Sequence, residues 1–72
     1  MYALIDIRDR KRPVVAGIAM SKDEAITRGL IMETKDTFFP SDAEDVGLYK
    51  EAMRRLGKNK YLSLGVTVIQ EI

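Results

Sequence analysis

Residues Lys60–Ile72 run KYLSLGVTVIQEI, and the number of strands in the fold turns on them. Leu62, Leu64, Val66 and Val68 alternate with Tyr61, Ser63, Gly65, Thr67 and Ile69. Period two is the mark of a β-strand, whose successive side chains point to opposite faces. The stretch is therefore expected to form one strand of about a dozen residues. Its leucines and valines would face a core, with Tyr61 and Ile69 outside.

The same period recurs at the other end. In YALIDI, Ala3, Ile5 and Ile7 alternate with Tyr2, Leu4 and Asp6, which predicts a strand over residues 2–8 with Tyr2 and Leu4 outward. PVVAGIAM predicts a second strand over 14–20, with Val15 outward and Pro13 at its start, where a missing N–H does least harm. Between them, RDRKRP (Arg8–Pro13) reads as a hairpin loop.

Helix signals fill the middle. Ser21 opens SKDE, a capping box with Glu24 three residues on, and predicts a helix over about 22–34 that buries Ala25, Ile26, Leu30 and Met32. Gly29 weakens that helix by about 1 kcal/mol relative to Ala, which points to a close approach of helix to sheet. TKDTFFP breaks the pattern. Pro40 then precedes SDAE, with Ser41 as cap and Glu44 as its third-position partner, ahead of a helix over about 42–56. Val46, Tyr49, Met53 and Leu56 mark its buried stripe beside Ala52, and Gly57 is a natural stop.

The expected order is thus β-β-α-α-β. That is an α+β two-layer sandwich, a three-stranded sheet with two helices on one face, in one small domain over residues 1–72. The third strand could pair beside the second, antiparallel to it, or beside the first, parallel to it; the pattern does not decide, and a right-handed crossover onto the first, making the N-terminal strand central, is the preferred version.

Composition narrows the function classes. The chain is 46% hydrophobic and 32% charged with a formal net charge of +1, an ordinary globular balance with little pull on polyanions. It contains no Cys and no His, which excludes disulfides, thiolate or imidazole zinc sites and the usual catalytic nucleophile–base pairs. The acid pairs Asp23/Glu24 and Glu44/Asp45 fall in helix first turns, where they complement the dipole. Gly17, Gly29, Gly47, Gly57 and Gly65 are isolated, so no phosphate-cradling loop is present. The expectation is a non-enzyme with no metal or cofactor. A beginning without a basic leader and an absence of Cys fit a cytoplasmic address, and no apolar run is long enough to span a membrane.

Candidate surfaces remain. Arg8, Arg10, Lys11 and Arg12 surround a single acid, Asp9, and would suit phosphate contacts from a hairpin tip. A solvated turn also needs polar residues, and charge runs are usually solvated faces. Arg54, Arg55, Lys58 and Lys60 form a second basic group, which the tracing puts at the opposite pole, with dipole compensation as its plain explanation. Phe38 and Phe39 lie between the helices, either closing the core or offering an anchor to a partner's pocket. On the outer sheet face, Tyr2, Leu4, Val15, Tyr61 and Ile69 would form an apolar patch of the kind that marks a homodimer or partner interface.

These features favour a small protein-binding module, a regulator or inhibitor that occupies a partner protein. Stand-alone chains of this size without catalytic groups are often such regulators, products of phages and mobile elements among them. A nucleic-acid-binding protein using the 8–12 loop and the basic end of the second helix is the alternative, and a structural subunit of a larger assembly is a third.

Overall fold

The C-terminal stretch is two strands rather than one. In the computed structural model, which describes residues 1–35, 38–39 and 41–72, the order is β1 (Tyr2–Asp6), β2 (Val14–Ala19), α1 (Lys22–Glu33), α2 (Ala43–Lys58), β3 (Tyr61–Ser63) and β4 (Thr67–Glu71). Pro40, expected to lead into the second helix, lies outside the described residues, as do Asp36 and Thr37 of the expected break.

Gly65 makes the difference. It adopts φ +129°, a conformation that side chains resist, and leads a two-residue hairpin turn closed by Leu64 N–H donating to Thr67 O at 2.8 Å. The sheet is four-stranded and wholly antiparallel, in the order β2-β1-β4-β3. β1 is central, as expected, but its second neighbour is the returning strand β4, so the expected parallel pairing is replaced by an antiparallel one.

The turn also resets which side chains face inward. Leu62 pairs with Ile69 and Ser63 with Val68, so even-numbered residues before the turn share a face with odd-numbered residues after it. Ile69, expected outside, is fully buried, while Val68, expected inside, lies on the opposite face. β1 is inverted as well: Leu4 is fully buried against the helices and Tyr2 packs on the same cluster. Both faces of YALIDI carry apolar residues, so its alternation shows a strand without showing which way the strand faces.

Both helices cover one face. Ala25, Ile26 and Leu30 of α1, and Ala52 and Leu56 of α2, share one cluster with Leu4, Ala19, Leu62, Ile69 and Phe38. Met32, expected in the core, is half-buried and packs on its margin. Gly29 permits the close approach anticipated for it: a Cβ there would stand 2.9 Å from Ile69 Cδ1 and 3.1 Å from Leu64 Cδ1.

The caps are local. Ser21 caps α1, its hydroxyl accepting Glu24 N–H at 3.1 Å. For α2 the cap is Asp42, not Ser41; its carboxylate accepts Glu44 N–H at 2.9 Å. Asp and Ser rank alike as caps, and the Asp42 backbone N–H also donates to Phe39 O at 2.9 Å. Gly57 does not stop the helix, which runs one residue further to Lys58.

Candidate protein-interaction face

Strand register places the side chains of the uncovered sheet face in rows. Ile18 of β2, Ala3 of β1, Gln70 of β4 and Tyr61 of β3 form one row. Val15, Ile5, Val68 and Ser63 form the next. Pairing continues past the strand end, where Ile72 N–H donates to Met1 O at 2.9 Å, and alternation puts Met1 and Ile72 on this same face.

None of these positions holds a charged residue, and the polar ones are Gln70 and Ser63 alone. Antiparallel sheets with one covered face ordinarily alternate apolar-in with polar-out. Here the pattern is apolar on both sides. The edge strands leave the largest groups in solvent: Val15 is 61% exposed, Tyr61 59% and Ile18 44%. Ile5 and Val68, flanked on both sides, are half-buried.

Of the five residues expected on this patch, Val15 and Tyr61 are there, whereas Tyr2, Leu4 and Ile69 point to the helices. Ile5, Ile18 and Val68 take their place. Gly65 could have signalled the exchange of Ile69 for Val68, since a glycine inside a strand pattern marks a turn or bulge, whereas no comparable signal marks Ile5 or Ile18.

The β2 edge is blunted against strand addition. Pairing shifts between Leu4 and Ile5, so that Ala16 is skipped between Val15 and Gly17 and the edge carries a bulge. Arg28 Nη1 donates to the Ile18 carbonyl at 2.7 Å, occupying an edge acceptor. The flat face, not this edge, is the open surface.

The two phenylalanines part company. Phe38 is buried in the core, while Phe39 is 59% exposed. Phe39 is nonetheless fixed at its backbone, its N–H donating to Asp45 Oδ2 at 2.7 Å and its carbonyl accepting from Asp42. An aromatic ring held out from a fixed backbone loses little entropy on docking.

The basic groups are set far apart on the sheet. Arg8–Arg12 follow β1 at the end marked by Ile7 N–H donating to Val66 O, whereas Lys60 precedes β3 at the end where its carbonyl accepts Glu71 N–H. They also lie at different edges, β2 with β1 on one side and β3 on the other. The 8–12 loop is a self-contained turn: Asp6 Oδ1 accepts Arg8 N–H at 2.9 Å and Asp9 Oδ1 accepts Lys11 N–H at 3.1 Å. Arg54 is engaged by Glu51, whose carboxyl is held below its ordinary value first by that hydrogen bond. Arg10, Lys11, Arg12, Arg55, Lys58 and Lys60 form no ion pair among the described residues.

Two shallow recesses accompany the helices, one of about 390 Å³ lined by Asp23, Phe38, Val46, Tyr49 and Lys50, and one of about 210 Å³ near Leu30 and Leu48. Among the described residues, no cluster of acids could hold a metal ion and no helix is long and apolar enough to cross a membrane. Comparison with family models, curated proteins and solved structures finds no match to this chain.

Proposed function

We propose that this chain is a non-catalytic protein-binding module, a regulator or inhibitor that works by occupying another polypeptide through the open face of its sheet. One observation carries the reading: a continuous sheet face with no charged side chain, bearing Val15, Ile18 and Tyr61 in solvent. Exposing such a face in isolation keeps apolar area in water, at about 25 cal/mol per Å², and covering it with a partner recovers that energy. Phe39, held by α2, supplies a second contact point away from the sheet.

The test is capture from a lysate of the source organism, with and without nuclease, by wild-type chain and by Val15→Glu and Tyr61→Glu. The reading expects a protein recovered in the presence of nuclease and lost from both variants. Recovery that collapses with nuclease and falls steeply with salt would instead favour phosphate contacts from Arg8, Arg10, Lys11 and Arg12, and would overturn it.

A further inference from the structure

We infer that the occupant of the open sheet face is a second copy of this chain, docked face to face as a two-sheet sandwich. The inference rests on the reading of that face as a protein–protein interface and names the partner that fits it.

Area is the first consideration. β1 and β4, lengthened to seven residues each by the Met1–Ile72 and Ile7–Val66 pairs, stand beside β2 of six residues and β3 of three. At ~4.8 Å between strands and ~3.4 Å per residue they give a footprint on the order of 375 Å² per copy. Two copies then remove about 750 Å² from water, below the ~1,000 Å² of a stable specific interface, so the association is a weak one. So small a face buries even that area only when the partner covers all of it. A second copy does, because its sheet has the same outline, and stacked sheets pack ~10 Å apart with their strands within about 30° of alignment.

Charge is the second. A two-fold axis lying between the sheets sets the same surface against itself, so any charge on the face would meet its own kind or be stripped of water. This face has none. The net charge of +1 leaves almost no long-range repulsion between copies. A foreign partner would be selected by complementary charge, and the face offers nothing to select with. In the sandwich, Val15 and Tyr61, on opposite edge strands, become covered, while Phe39 stays accessible for a different protein.

Sedimentation equilibrium or light scattering from about 1 µM to about 500 µM tests this, a range that brackets the micromolar dissociation expected of a small interface. Wild type should move from 8.1 kDa towards twice that mass as concentration rises. Val15→Glu and Tyr61→Glu should each weaken association at least tenfold with far-UV circular dichroism unchanged, and Phe39→Ala should not. Both positions are more than half exposed, so a folded variant is expected; Val15→Thr serves if a charge unfolds the chain. A chain that stays at 8.1 kDa throughout overturns the inference, as does a dimer that neither charged variant weakens. Monomeric wild type that still captures another protein, lost in Val15→Glu and Tyr61→Glu, would overturn self-docking and keep the protein-binding module. Monomeric wild type whose capture those variants leave untouched would remove both.

Discussion

The Glu33 carboxylate, at the last position of α1, accepts Val66 N–H from the β3–β4 turn at 3.1 Å. The Val66 carbonyl in turn accepts Ile7 N–H at 2.9 Å, so the turn is tied to a helix on one side and to the end of β1 on the other.

Glu33→Ala should cost about 1 kcal/mol, the usual worth of a partly buried hydrogen bond with a charged acceptor after water replaces it. Gly65→Ala should cost about 1–2 kcal/mol, because its φ of +129° disfavours any Cβ and because that Cβ would run into the Glu33 carboxylate. The two effects are coupled: in the Glu33→Ala background the Gly65→Ala penalty should shrink, since the obstructing group is gone. Urea denaturation of the four chains measures this, and strictly additive changes would count against the contact.

Two helix glycines should respond in opposite directions. At Gly47 of α2, beyond its chain neighbours and its own helix backbone, no atom of the described residues lies within 4 Å of a built Cβ, so Gly47→Ala should stabilise by about 0.5–1 kcal/mol through helix propensity. That corresponds to a rise in Tm of about 2–8 °C for a domain of this size. At Gly29 the added side chain meets Ile69, which is fully buried and cannot move aside, so Gly29→Val should cost about 2–3 kcal/mol or more. Thermal melts of both variants test the contrast.

Thr67 is buried at the start of β4, and its hydroxyl has no hydrogen-bond partner among the described residues. Thr67→Val keeps the branched shape and removes the unpaired oxygen, so stability should rise by about 1 kcal/mol. A denaturation midpoint at or below that of wild type would show that the hydroxyl is satisfied in solution, by water for example.

Tyr49 of α2 donates its hydroxyl to the Asp23 carboxylate in the first turn of α1. That hydrogen bond, then burial and the Asp23 charge, holds the phenol above its ordinary value of 10.0. The folded chain therefore keeps its proton where the unfolded chain would lose it. The contribution to stability is complete below the ordinary value and disappears as pH rises through the elevated one. Denaturation at stepped alkaline pH should show a fall in stability there that Tyr49→Phe lacks, and an identical fall in both chains would refute the pairing.

Legibility in the sequence depended on whether a residue's signal had a direction. Ser21 carries a one-sided instruction, and it caps α1 where expected. Gly29 in a helical pattern implied proximity to the sheet, and Ile69 is what it approaches. Leu4 and Ile5, by contrast, are equally apolar neighbours on opposite faces, and nothing in their chemistry says which one meets the helices. Gly65 sits between Leu64 and Val66, without the Asn or Asp that commonly accompanies a tight turn, so the apolar alternation runs straight through it. One unrecognised turn then moved Ile69 and Val68 to each other's face. The open face was legible as apolar, while its membership, Ile5, Ile18 and Val68 with Val15 and Tyr61, required the register.

The order β2-β1-β4-β3 also has a bearing on how the chain finds its fold. Each outer pair is a hairpin with its strands near in sequence, but the central ladder joins residues 2–6 to residues 67–71. Closing a loop of that length costs about 1.5 kcal/mol more entropy than closing one of ten residues. Non-local pairings of this kind slow folding relative to helical bundles of similar size. The two hairpins are the local elements of the sheet, and the β1–β4 ladder between them is the one that carries this loop-closure cost.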